Sequence, residues 1–276
     1  MSATTVDQVL APSADEEVPT GLVWLWRDSW TEALRHLRAL PRNPELLMFA
    51  TIQPVMFVLL FAYVFGGSIS VPGYDDYNQF LMPGIFAQTV LFGSTFTAVG
   101  LADDLSKGIV DRLRSLPMYP SAVLIGRTIS DVVRNLLTFV VMLVVAFAIG
   151  FRFEGTLVEA VFATLLLFIF SYAFSWIQAL VGLSVGSVEA ANSAGFIWMF
   201  PLTFVSSAFV DPRNMPHWLQ RVADVNPFTI VTNACRALYN GRDAGNDPWI
   251  ALAWAVGLTA VFSWLAVRKF NSAASK

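Results

Sequence analysis

The sequence predicts an all-α, polytopic membrane protein with six transmembrane helices, an N-terminal interfacial amphipathic helix, and two short re-entrant outer helices before the last span. Three observations predict it. Of 276 residues, 56% are hydrophobic and 13% charged, and the mean hydropathy is +0.60, an apolar excess that only lipid absorbs. Six segments reach or approach the roughly 20 apolar residues that cross a hydrocarbon layer of about 30 Å. Lys and Arg gather at the ends of these segments rather than along a groove-sized stripe, so nucleic acid is not an expected partner.

In chain order, residues 1 to 20 carry Asp7, Asp15, Glu16 and Glu17 with Pro12 and Pro19, and read as a disordered cytoplasmic tail without a cleaved signal peptide. Residues 21 to 42 form the interfacial helix. Leu22, Trp26, Trp30, Ala33, Leu37 and Leu40 make its apolar face, with Arg27, Asp28, Thr31, Glu32, Arg35 and Arg38 opposite, before Pro41 breaks it. The spans follow at 46 to 65, 80 to 102, 122 to 150, 157 to 186, 193 to 210 and 249 to 267. The fifth is the shortest and contains Pro201. Near the start of the third, Arg127, Asp131 and Arg134 stand at (i, i+4) and (i, i+3) spacing and can neutralise one another on one face, outside the lipid core.

An even number of spans puts both termini on one side. Arg27, Arg35, Arg38, Arg42, Lys107, Arg112, Arg114, Arg268 and Lys269 assign that side to the cytoplasm of a cell (plasma) membrane. The connection 103 to 120 sets Ile109, Leu113 and Leu116 at helical spacing among charges and ends at Pro117 and Pro120, so it reads as a short amphipathic helix. Such a helix either docks in a groove of a cytoplasmic protein or is a solvated loop. Residues 211 to 241 contain two short helical patterns, the second capped by Asn226-Pro227 and ended by Gly241; they gate an exit or only cap the surface.

Polar residues set among phenylalanines mark the second and fifth spans. Gln88, Phe92, Thr95, Phe200 and Thr203 are the candidate path for an amphiphilic substrate, although the same residue types serve ordinary interhelical hydrogen bonding. Gly182 and Gly186 form a GxxxG pair suited to close helix packing. Cys235 is the one cysteine, which excludes an internal disulfide and a thiolate zinc cluster. The sequence has no GxxxxGK[ST] loop, and its two histidines, His36 and His217, form no HExxH pattern, so no catalytic residue and no metal site is expected. Carboxylates cluster near helix ends rather than at the membrane midplane, which disfavours proton coupling.

The run Lys107-Gly108, Asp111 through Met118, Gly126-Arg127, Asp131, Arg134 and Gly150-Phe151-Arg152-Phe153 resembles the ABC-2 type permeases of the daunorubicin/doxorubicin-resistance class, with residues 46 to 270 as the transmembrane domain. The resemblance implies a permease subunit of an ATP-binding-cassette exporter for an amphiphilic drug, lipid or natural product. It implies two copies of a cytoplasmic P-loop ATPase that bind ATP and Mg, and a second permease, identical or related. No cofactor is expected in this chain. By position, 21 to 42 becomes the connecting helix and 103 to 120 the coupling region, so that Asp103, Asp104, Lys107, Gly108, Asp111, Arg112, Arg114 and Glu189 become the ATPase-coupling residues. The family's frequent Glu-Arg-Glu is here Asp103-Asp104-Leu105. Rival readings are an ion-gradient-driven transporter and a non-transporting membrane scaffold or enzyme.

Overall fold

The structure is a computed structural model that describes residues 22–39, 44–65, 71, 73, 74, 76–114 and 119–272. The tail at 1 to 20, the break at Pro41 and the stop at Leu116 and Pro117 lie outside the described residues, as do the side chains of Asp111 and Arg114. Every regular element among the described residues is helical.

Helix α1 (Leu22–Ala39) lies along α6 (Pro120–Ala148). Between them in sequence come α2 (Pro44–Leu59), which runs on as a π-helical turn (Leu60–Phe65), then α3 (Tyr77–Gly93), α4 (Thr95–Ser106) and the short α5 (Ile109–Arg114). After α6 follow α7 (Leu157–Gly182), α8 (Val188–Phe204), a 3-10 turn (Pro212–Asn214), α9 (His217–Val225), α10 (Pro227–Tyr239) and α11 (Asp247–Ser272).

Helices α3 and α4 form the heart of the molecule. Leu81, Met82, Ile85, Phe86, Ala87, Val90 and Leu91 are all buried, so α3 is apolar on every side and must be enclosed by other helices. At Ser94 both the backbone N–H and the hydroxyl donate to Leu91 O, at 3.0 and 2.6 Å, and this tightened turn separates the two helices. Together they still make one apolar run of 30 residues, 78% of whose most apolar stretch is buried, whereas α11 buries only 17% of its own.

Among the described residues, four helices are long and apolar enough to cross a membrane: Tyr77–Ser106, Ser121–Ala148, Leu157–Gly182 and Asp247–Ser272. The first and fifth expected spans correspond to α2 with its π turn and to α8, which has 17 residues and falls short of that length. Pro201 sits in the last turn of α8, and the helix ends three residues later. The fourth expected span stops at Gly182 rather than 186, because Ser187 caps a new helix by accepting from Ala190 N at 3.1 Å.

Two side-chain expectations are corrected. Helix α1 turns Ser29, Glu32 and Ala33 onto α6 and leaves Trp26 and Trp30 exposed, so Glu32, expected on the polar outer side, is buried. Gly126 explains the choice: a Cβ there would stand 2.5 Å from Glu32 Cβ and 2.6 Å from Ser29 O, an approach only glycine permits. In the GxxxG pair, Gly182 does pack tightly, its position for a Cβ lying 2.6 Å from Ala98 O of α4, but Gly186 meets nothing within 4 Å and lies beyond the helix.

At the α10 end the chain follows its sequence signals closely. Asn226 accepts from Phe228 N at 2.8 Å as N-cap, while its amide donates to Leu202 O and Val205 O at 2.7 Å each, fixing α10 to the end of α8. Gly241 closes the helix at φ +60°. The aromatic run after α6 folds back on this end, where Phe151 and Phe153 pack against the Tyr239 ring.

Candidate functional site: a cleft beside a charged helix end

The α4 end of the molecule collects acids and bases from three helices. Asp131 and Arg134 of α6 pair at 2.7 Å, and Arg127 stands 3.6 Å from Asp131, so the neutralising triad read from spacing is present. The triad extends beyond what spacing could show. Thr97 of α4 donates to Asp131 Oδ2 at 2.5 Å, and Asp104 of α4 lies 3.6 Å from Arg127 and 3.9 Å from Arg35 of α1, which itself pairs with Glu32 at 2.8 Å. Three carboxylates thus face three guanidiniums, a balance that low-dielectric surroundings demand.

His36 of α1 fits between two of these cations, with Nδ1 3.2 Å from Arg127 Nη1 and Nε2 3.3 Å from Arg35 Nη2. Burial, and then the charges of Arg127, Arg35 and Arg134, push its pKa down to about 3, so the ring is neutral at physiological pH. Gly100 makes this crowding possible, since a Cβ there would fall 1.4 Å from Arg127 Nη2.

The expected coupling residues occupy this end in different ways. Asp103 forms an exposed pair with Lys107 at 2.7 Å, whereas Asp104 is buried in the cluster and turned away from the surface. Gly108 adopts φ +65° and joins α4 to α5. Val110 and Leu113 of α5 pack inward onto Leu101, Val123, Trp176 and Phe270, Ile109 is half-buried, Leu116 lies outside the described residues, and Arg112 is exposed. Glu189 is exposed in the first turn of α8, whose Ala191 packs on Ala98 and Ala102 of α4.

Next to the charged cluster, a cleft of about 120 Å³ opens between α2, α3, α4, α6 and α8. Gln53, Pro54, Thr89, Phe92, Gly93, Thr95, Phe96, Val99, Arg134, Asn135, Thr138, Asn192 and Phe196 line it. Of the expected path residues, Phe92 and Thr95 are on its wall. Phe200 lies behind, its ring edge-on to Phe92 with centroids 5.3 Å apart, and is partly exposed. Gln88 is buried on α3 away from the lining, with Nε2 lacking a hydrogen-bond partner. Thr203 donates within its own helix, to Met199 O at 3.0 Å, the i−4 back-bonding by which a buried hydroxyl is satisfied. Thr95 donates to Met199 Sδ at 3.2 Å, holding α4 against α8.

Gln53, Arg134 and Asn135 are wall residues that the sequence reading missed. Arg134, Asn135 and Thr138 share one stretch of α6, and the signal for them was the charge itself inside a long apolar helix. Asn135 donates to Val90 O at 3.1 Å and to Ser171 Oγ at 2.9 Å, and Gly93 leaves it room, since a Cβ there would lie 2.0 Å from Asn135 Oδ1.

At the opposite end, Arg236 of α10 is also buried. Its Nε donates to Phe80 O at 2.8 Å, Nη2 to Ser207 O at 2.6 Å and to Ala208 O at 3.3 Å, and Nη1 to Asn233 Oδ1 at 3.0 Å. The guanidinium lies 3.8 Å from the centre of the Phe80 ring.

A helical bundle with long apolar helices, a polar and aromatic cleft, and a charged helix end carrying a short terminal helix defines an integral membrane transport subunit. The ABC-2 type transporter family model matches residues 29–240. The chain is 32% identical to the daunorubicin resistance ABC transporter permease protein DrrB1 of Streptomyces coeruleorubidus, over 95% of this chain and 89% of that one. It is 25% identical to the probable doxorubicin resistance ABC transporter permease protein DrrC of Mycobacterium tuberculosis, over 77% of this chain and 76% of the relative. A third relative, the probable multidrug ABC transporter permease YbhR of Escherichia coli, is 24% identical over 62% of this chain and 46% of its own length. The chain belongs to the ABC-2 type transporter family and is a permease subunit of an ATP-binding-cassette exporter.

Proposed function

We propose that this permease moves an amphiphilic drug, lipid or natural product out of the cytoplasm or inner leaflet of the plasma membrane, using ATP and Mg held by two copies of a cytoplasmic P-loop ATPase. Relatives named for daunorubicin and doxorubicin resistance support the substrate class. The working unit pairs this chain with a second permease, identical or related. Six segments span the membrane, with α2 and α8 completing the four longer helices. Both termini are cytoplasmic, α1 lies in the interface as the connecting helix, and α9 and α10 dip into the outer leaflet as re-entrant helices.

The ATPase docks on residues 103 to 120, where Asp103, Lys107, Gly108, Asp111, Arg112 and Arg114 are the coupling positions, with Glu189 at a second contact. Asp104 acts from inside, tying the base of α4 to Arg127. The observation that carries this reading is the continuous run of charge contacts from Asp104 through Arg127 and Asp131 to Arg134, which joins the coupling region to the wall of the cleft. Docking movement at α5 thereby reaches the substrate site.

Arg112→Glu tests the assignment in vesicles containing the permease with its ATPase. Like-charge opposition should abolish substrate-stimulated ATP hydrolysis and transport while the permease still accumulates folded in the membrane and melts cooperatively in detergent. Normal transport by that variant refutes docking at α5.

A further inference from the structure

The geometry points to Arg134 as the specificity-determining residue of the cleft, selecting aromatic amphiphiles that carry a hydrogen-bond-accepting or anionic oxygen and rejecting those that place an ammonium group there. This inference rests on the exporter reading and adds to it the polarity of the substrate.

Among the described residues, Arg134 is the one charged side chain on the cleft wall and no carboxylate lines it. Its counterion stands behind it: Asp131 is buried, pairs with Arg134 Nη1 at 2.7 Å and is absent from the lining. Gly93 O accepts from Nη2 at 2.8 Å and the guanidinium lies 4.2 Å from the centre of the Phe96 ring, so the cation is held in place before any ligand arrives. A guanidinium has five N–H donors, and these two bonds leave it able to donate further.

The neighbouring hydroxyls are already engaged. Thr89 donates to Ile85 O at 2.8 Å, Thr95 to Met199 Sδ at 3.2 Å and Thr138 to Arg134 O at 3.4 Å. These threonines have spent their protons and offer lone pairs only, so the preference of the wall for an acceptor-bearing ligand comes from the fixed positive charge and remaining N–H donors of Arg134. An ammonium would meet a fixed cation in a low-dielectric site with no acid to receive it. A space of about 120 Å³ admits about one aromatic ring, so the acceptor-bearing ring enters first, between Phe92, Phe96 and Phe196.

Two probes share one aromatic frame: 1-anilinonaphthalene-8-sulfonate, which is anionic, and N-phenyl-1-naphthylamine, which is neutral. The measurement is the membrane-bound concentration of each that half-stimulates ATP hydrolysis by the reconstituted permease–ATPase complex. The sulfonate should act at roughly tenfold lower concentration. Arg134→Lys should keep that preference. The double variant Arg134→Gln/Asp131→Asn, which removes the ion pair without leaving a lone buried charge, should abolish it. Asn192→Asp, at an exposed wall position, should reverse it. Equal action of both probes on the parent, or a preference unchanged in the double variant and in Asn192→Asp, overturns the charge inference while the cleft remains a substrate site. Failure of both probes to alter ATP hydrolysis removes the cleft as a substrate site and the inference with it. Repeating the assay in phosphatidylglycerol vesicles separates two sources of the acceptor: suppression of the sulfonate effect assigns it to a lipid headgroup, persistence to a soluble amphiphile, and both uphold acceptor recognition.

Discussion

Two buried arginines are stabilised in opposite ways at the two ends of this permease. Arg134 is paired with a carboxylate, whereas Arg236 is held by three backbone carbonyls, one side-chain amide oxygen and an aromatic ring. Carbonyls cannot change charge, and these belong to α3 and to the stretch after α8, so Arg236 fastens both to its own helix α10. An ion pair can exchange partners within a cluster. The Arg134 end therefore adds to one carbonyl and one ring contact a set of ion pairs able to exchange partners, which the Arg236 end lacks.

Arg236→Met should break this contrast most severely. It leaves Phe80 O and Ser207 O without their donor, and we expect a loss of about 3 to 5 kcal/mol, seen as failure to accumulate or as a large drop in melting temperature in detergent. Arg236→Lys should rescue little, since one ammonium cannot reproduce a planar fork.

Asp131→Asn should cost about 3 kcal/mol by leaving Arg134 without its counterion. Adding Arg134→Gln should recover at least half, and a double-mutant cycle on melting free energies reads the difference. Additive losses would show that the two residues do not act as a pair.

Gly100→Ala should be milder, about 1 to 3 kcal/mol, because the added methyl displaces the mobile end of Arg127 rather than backbone. Its signature is weakened coupling, a lower ratio of stimulated to basal ATP hydrolysis with the Arg236 end unaffected.

The effect that is smallest near neutral pH concerns the acid side of the stability profile. His36 has a folded pKa of about 3 against about 6.5 when unfolded, so below pH 6.5 the unfolded chain binds the extra proton. The stability from the neutral ring is fully present above pH 6.5 and declines as pH falls toward 3. The ring faces Arg35 and Arg127, with Glu32 and Asp104 as the acids bound to those cations. His36→Gln should flatten the acid side of the melting profile, and an unchanged profile would exclude this residue as its source.

Local rules made part of this fold legible. Asn226-Pro227 announces the start of α10, and the spacing of Arg127, Asp131 and Arg134 announces their pairing, because caps and (i, i+4) contacts depend only on near neighbours. The face that α1 buries was not legible, since it depends on the notch that Gly126 leaves on a helix some ninety residues away. Asp104 looked like a surface acid until Arg127 and Arg35 were seen to enclose it. For the cleft, the phenylalanines drew notice to Phe92 and Thr95, but Gln53 and Asn135 carry no periodic signal, and Thr203 resembled a wall residue while bonding its own helix.

The interruption at Ser94 sets the scale on which this protein moves. It leaves α4 as a 12-residue strut, about 18 Å long at 1.5 Å per residue, bounded at one tip by the Ser94 turn and tethered near the other by Asp104. A tilt of about 10° swings the far tip by about 3 Å, comparable to the reach of a single ion pair. Under the proposed docking, a small rotation imposed from outside the membrane would match the reach of individual ion pairs at the base of α4, whereas α3 is held by the carbonyl contact to Arg236.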